Sequence, residues 1–168
     1  MEFGLLLIRV VVGLALAAHG AQKLFGLFGG HGIAGTGGFF ESLGLRPGKP
    51  LAALAGLGET CGGLGLAFGL LTPFASALIV ATMLVAIWTV HIDKGFFVSN
   101  GGYEYPLVNA AVALGVAFTG PGFISLDSLL QLPLAGTRWG FIALGLGLVG
   151  ALPPVIARSV AAQGSAPS

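Results

Sequence analysis

One acid in a long apolar run sets the first chemical question. From Leu51 to Leu71 the chain reads LAALAGLGETCGGLGLAFGLL, and Glu59 is the one charged residue in it. A carboxylate at the centre of a membrane costs about 2.5–3.5 kcal/mol on an insertion scale. It becomes tolerable beside a cation, when protonated, or against a wet cavity. Earlier in the chain, His19, Gln22 and Lys23 lie three and four positions apart, so on a helix they point together. Glu59, His19 and Lys23 at one depth have the chemistry to move a proton or to bind the polar part of a ligand.

Further on, Trp88, His91, Asp93 and Lys94 close one apolar run, and Tyr103, Glu104, Tyr105 and Asn109 open the next. Trp88, His91, Glu104, Tyr105 and Asn109 are the candidates to line a pocket for an amphipathic molecule such as a quinone, which needs apolar walls and a few donors. A metal is the weaker alternative. His19, Glu59 and His91 are ligands of the kind zinc or iron accepts, but their spacing is no metal signature and Lys23 opposes a cation. Each of these groups also has a plainer reading, since a buried ion pair can simply fix which helices pack together. His31, in a glycine loop, is expected to be solvated. The single cysteine, Cys61, has no partner for an internal disulfide or a C-x-x-C pair and is expected to be a small buried residue. No glycine-rich nucleotide fingerprint follows a strand, no Ser-His-Asp arrangement stands out, and no haem, flavin or iron–sulfur motif is present.

The scaffold beneath these groups can be read from composition. Of 168 residues, 55% are hydrophobic and 8% charged, against about 25% charged in soluble domains, and mean hydropathy is +0.98. The class is all-α and integral to a membrane. No run alternates as a barrel strand does, and backbone groups in lipid must be satisfied internally. A net charge of +1 leaves no basic face for nucleic acid. Apolar runs of about 20 residues place spans at about 4–27, 51–71, 74–92, 104–119 and 138–157. The Pro153-Pro154 pair is expected to kink or end the last of these, with a disordered tail over 158–168. Arg9 within the first run and Glu2 before it argue against a cleaved leader.

If the spans alternate in direction, the first begins at a face X and ends at a face Y. His19 and Glu59 then lie at similar depth, about 12 Å from Y at about 1.5 Å per residue, and the ionisable ends of the third and fourth spans reach the same half. Arg9, Gly13, Leu16, Gly20 and Lys23 form one stripe of the first span, with His19 at its border. Gly56, Glu59, Gly62 and Gly63 form one face of the second. Glu59 is therefore expected to face the first span. Arg9 lies near X, with Asp127 or water as its partner. The connection from Phe28 to Pro50 is too glycine-rich for a long regular element, although GFFESLGL suits a short interfacial helix. Lys23, Arg46, Lys49, Lys94 and Arg158 at Y outnumber Arg9 and Arg138 at X, which places Y in the cytoplasm.

The segments LLLIRVVVGLALAAHGAQKLFG, GTGGFFESLGL, LAALAGLGETCGGLGLAFGLLT, GFFVSNGGYEYPL and GPGFISLD, in that order, resemble the DoxX family of bacterial membrane proteins over roughly Leu5 to Asp127. The resemblance rests on Arg9, His19, Gly20, Lys23, Phe25 and Gly26, then Gly38, Phe39 and Phe40, then Glu59 and Gly63. Gly95, Phe96 and Glu104 continue it, and Gly120, Gly122 and Asp127 close it. It implies a four-helix transmembrane bundle, here with a fifth hydrophobic helix at the C-terminal end, in the bacterial plasma membrane. It also implies a place in redox, oxidative-stress or thiol-stress pathways, beside soluble or membrane redox partners, as a quinone-binding or non-catalytic subunit of an oxidoreductase. Membrane thiol oxidoreductases of the vitamin K epoxide reductase type share a four-helix outline, but their cysteine pairs have no counterpart here. The competing readings are a non-enzymatic scaffold or assembly factor, docking partners through the Phe28–Pro50 loop, and a small transporter.

Overall fold

The computed structural model describes residues 2–164, with side chains to Arg158. It is all-helical, with no strand among the described residues. The chain runs α1 Glu2–Phe25, α2 Gly32–Ser42, α3 Gly48–Phe68, α4 Thr72–Ala86, α5 Glu104–Thr119, a short α6 Leu126–Leu129 and α7 Thr137–Gly164. A π turn, Ile87–His91, and a 3-10 turn, Ile92–Lys94, carry α4 onward. Four segments have the length and apolar composition to cross a bilayer: Glu2–Phe25, Gly48–Phe68, Thr72–Lys94 and Thr137–Arg158. The 16-residue α5 is shorter. The protein is a multi-pass membrane protein in contact with lipid.

The bundle is organised by α1 against α3. The buried positions of α1 are Arg9, Gly13, Leu16 and Gly20, a stripe at helical spacing. They meet Gly56, Glu59 and Gly63 on the buried face of α3. A Cβ built on Gly13 would stand 2.5 Å from the Gly63 carbonyl oxygen, and one on Gly63 would stand 2.5 Å from that of Gly13. Only hydrogen at these positions lets two antiparallel backbones approach so closely, and lipid supplies no hydrophobic drive to replace that packing. Leu16, Leu66, Ile79, Met83, Ala113 and Val116 fill the core. The last span, α7, lies parallel to α4, with Gly147 against Val80, Gly150 against Ala81 and the Arg158 guanidinium donating to the Trp88 carbonyl at 2.7 Å.

Several expectations change. A helix does form in the glycine-rich connection. Glycine costs about 1 kcal/mol per helical position, but α2 recovers this by packing on α3, with Phe40 buried against Leu45 and Ala52 and Gly37 close against Lys49. Phe39 stays exposed. The proline pair does not end α7, which runs on to Gly164. Residues 158–164, expected as tail, are therefore helical, and 165–168 lie outside the described residues. Proline costs a helix a donor and crowds the carbonyl four residues back. Those carbonyls belong to Val149 and Gly150. Cys61 is exposed rather than buried, because the glycines beside it take the packed face.

At X the chain closes on itself. Asp127 is buried and accepts from the Leu71 amide at 2.7 Å, the Thr72 amide at 2.9 Å and the Thr72 hydroxyl at 2.7 Å. It thereby caps the N-terminus of α4, where amides lack helical partners. Arg9 does not snorkel to water. It is buried, and its Nη2 donates to the Ile124 carbonyl at 2.5 Å rather than forming a direct pair with Asp127. Glu2 accepts from the Phe123 amide at 2.6 Å.

The α1–α3 contact can be tested by adding a methyl group. Gly13→Ala and Gly63→Ala are each expected to destabilise by about 1–3 kcal/mol, the cost of overpacking. Gly115→Ala, with no atom within 4 Å of the new Cβ, is expected to be neutral or stabilising. Thermal unfolding in one detergent compares all three.

Candidate functional site

The register of α1 on α3 sets Lys23, in the last turn of α1, level with Glu59. Lys23 Nζ stands 2.5 Å from Glu59 Oε2. The carboxylate side chain is 7% exposed and the ammonium side chain 25%, so the pair reaches water through the lysine. Glu59 faces α1, as expected from its glycine-lined face. A charge-assisted bond in a medium poorer than water is strong, and neither partner is comfortable without the other.

The pair lies in the wall of an open cavity of about 990 Å³ at the Y end, shared by α1, α2, α3, α4 and α7 and by the first turn of α5. His19, Lys23, Glu59, His91 and Tyr105 all line it. The His19 and Tyr105 rings pack with centroids 5.6 Å apart. Most of the remaining wall is apolar, including Leu16, Phe39, Phe40, Leu45 and Leu54.

His91 reaches the cavity through the π turn. Thr89 Oγ1 donates back to the Val85 carbonyl at 2.7 Å, a contact that bends helices, in a run of β-branched residues with poor helical packing. The extra residue in the turn rotates the downstream side chains about the helix axis. The His91 Nδ1 proton is donated to the Gly101 carbonyl at 2.6 Å. A carbonyl only accepts, so in the neutral ring Nε2 carries the lone pair.

Three of the expected pocket residues stand elsewhere. Trp88 is exposed on the outer surface, and its carbonyl is the Arg158 acceptor. Glu104 caps the preceding loop by accepting from the Val98 amide at 2.9 Å. Asn109 is buried inside the bundle, with its Nδ2 unpartnered among the described residues. The first two were placed by depth along their helices, which says nothing about the direction a side chain takes. The His19, Glu59 and His91 metal set does not assemble. Among the described residues no group of three His, Cys, Asp or Glu side chains is placed to hold a metal ion. Glu59 is committed to Lys23, His19 packs on Tyr105 and His91 is tied to Gly101.

Gln22, which shares a face with His19 and Lys23, also lines the cavity, as do Arg46 and three residues that sequence patterns did not single out: Thr36, Thr82 and Thr89. His31, expected to be solvated, is exposed and lies at its rim. A signal for the threonines was available. Thr82, Ala86 and Thr89 recur at helical spacing on one face of an otherwise apolar span.

Set against known proteins, residues 4–92 match the model of the DoxX family. A Bacillus subtilis (strain 168) protein named "Putative oxidoreductase CatD" is 36% identical over 126 residues, 75% of this chain and 86% of that one. An "Uncharacterized protein" of Haemophilus influenzae (strain ATCC 51907 / DSM 11121 / KW20 / Rd) is 32% identical over 74 residues, 44% of this chain and 49% of its own length. No solved structure matches. His19, Lys23, Glu59 and His91 fall within the family match, whereas Tyr105 and α7 lie beyond it.

The ion pair predicts an asymmetric double-mutant cycle. Glu59→Gln leaves Lys23 without its counter-charge and is expected to cost about 1–3 kcal/mol, below the full range for sealed pairs because the lysine is partly wet. Adding Lys23→Met is expected to recover most of that loss. Unfolding temperatures of the wild type, both single variants and the double variant in one detergent measure the coupling, and additive losses would exclude it.

Proposed function

We propose, since the chain belongs to the DoxX family, that it is a membrane subunit of a redox or oxidative and thiol-stress pathway in the bacterial cell membrane. In this reading the Y-side cavity binds a quinone or a similar amphipathic molecule. The observation that carries the reading is the composition of that cavity: an acid–base pair with a buried carboxylate, three histidines and a tyrosine, set in largely apolar walls. The volume suits a cofactor-sized molecule, and the similarity to a protein named as an oxidoreductase points the same way.

A quinone supplies two-electron chemistry coupled to the uptake of two protons. The residues here would manage the protons and the orientation, with electrons coming from a partner redox protein. The Lys23 ammonium, held in place by Glu59, would donate to an oxygen placed before it. His91 Nε2 offers an acceptor on another wall. The His19–Tyr105 ring pair provides a surface for a flat headgroup.

Protein extracted under mild conditions and placed in lipid nanodiscs is expected to retain quinone, identified by mass spectrometry of its organic extract. His19→Ala is expected to weaken rebinding about tenfold, the loss of one good contact. The Lys23→Met/Glu59→Gln pair should lose rebinding while keeping its fold. Wild-type protein that neither retains nor rebinds quinone ends the reading. If it instead captures a soluble redox protein irrespective of Glu59, the scaffold reading replaces it, and substrate flux into liposomes would favour transport.

Orientation follows from charge. Arg46, Lys49 and Lys94 are exposed near Y, whereas at X Arg9 is buried and Arg138 is exposed. This bias favours Y in the cytoplasm. Gly38 is exposed with open space around it. A Gly38→Cys probe in a Cys61→Ser background should therefore react with an impermeant maleimide only after the cells are opened.

A further inference from the structure

The polar cavity does not end at the headgroup residues. Its apolar arm runs out between α3 and α7 with α4 as the floor, past Leu54, Gly58, Thr82, Val85 and Pro153. There it meets a second depression of about 280 Å³ between α4 and α7. Leu78, Ala81 and Gly150 line both, so the two adjoin there. From Val85 to Phe74 the floor runs about 16 Å along α4 at about 1.5 Å per residue, toward X. Leu54, Leu78 and Phe74 are exposed on the outer surface of the bundle, so the whole track opens sideways to lipid.

Small side chains shape the track. Ala81 and Gly150 close-pack where α4 meets α7 beneath the track, and a Cβ on Gly150 would stand 3.2 Å from that of Ala81. The rings of Pro153 and Pro154 line the arm beyond this contact.

We infer that this track holds the apolar tail of the molecule whose headgroup occupies the polar cavity, and that the ligand is a long-tailed quinone entering laterally from the bilayer. The inference rests on the quinone reading of the cavity. Adjacency to the polar end selects this occupant, because a chain in the track has its head directed at Lys23 and Glu59. It also gives α7 a role as the second wall of the entry path. Lipid is as apolar as the track, so the tail gains packing and direction rather than transfer energy. The consequence is a fixed tail position more than a tighter complex.

Two photoreactive benzoquinones test this on the full chain in nanodiscs, one with its diazirine on the ring and one at the end of an isoprenoid tail. The ring probe is expected to label peptides of α1 and α5 at the polar cavity. The tail probe is expected to label residues 72–86 and 146–157. Ala81→Leu with Gly150→Leu should cut tail labelling of those segments about tenfold by filling the track, while ring labelling, which also reports the fold, persists. Gly150→Leu alone is the milder variant if the pair does not fold. Tail labels spread evenly over all lipid-facing helices, or unchanged by the substitutions, with ring labelling intact, overturn the track and leave the headgroup site standing. A phospholipid probe that labels the track and is not displaced by quinone also overturns it. A ring probe that fails to label the cavity removes the quinone reading itself, and the tail track with it.

Discussion

A carboxylate inside a membrane has to find a cation, and in this protein that requirement and the close approach of two helices are the same constraint. Lys23 can reach Glu59 because α1 and α3 touch through glycine at Gly13, Gly20, Gly56 and Gly63. Were the axes further apart, the ammonium would fall short and a charge would be left in hydrocarbon, at a cost of several kcal/mol. Conversely, glycine contacts alone permit sliding along the helix axis, since one small residue replaces another. The ion pair supplies a preferred register, and the position of His19 follows from it.

The two ends of the bundle use polar groups differently. At X, Arg9, Asp127 and Glu2 are spent on backbone: the Ile124 carbonyl, the amides of Leu71 and Thr72, and the Phe123 amide. These bonds satisfy loop and helix-end groups that would otherwise be buried unpaired, and they hold the α5–α7 connection onto the α3–α4 turn. Leu71 sits there at φ 47, a conformation unfavourable for a branched side chain, with its amide held by Asp127. At Y, Lys23, Glu59, His91 and His19 interact chiefly through side chains around an open volume. Glu104 and Arg158 also hold backbone near Y, but the Lys23–Glu59 pair is made between side chains at the wall of the cavity.

Much of the architecture was legible. The apolar runs gave the all-helical membrane class and the order of the long helices, because a bilayer admits few alternatives for a chain with so few charges. The inward stripes of α1 and α3 were readable because glycine and a lone acid mark the packed face of a membrane helix as clearly as leucine marks that of a soluble one. Of the glycine-rich α2, the end within GFFESLGL was legible and the start was not, since intrinsic propensity opposes it and the α3 surface under Phe40 reverses the balance. The continuation of α7 through two prolines was hidden too: local rules predict a break, and the helix runs through both.

For the site, sequence alone determined the residue types and their depth. An acid eight residues into one span and a histidine and lysine near the end of another must share a layer, because helical rise is fixed. Rotation about each helix axis was decided by tertiary structure. Trp88 and Glu104 have the right depth and turn elsewhere, while the π turn brings His91 to the cavity and a loop carbonyl fixes its proton. Depth is additive along a helix and can be counted. Direction depends on which neighbour a helix packs against and on a single inserted residue, and that is settled only when all the helices are in place.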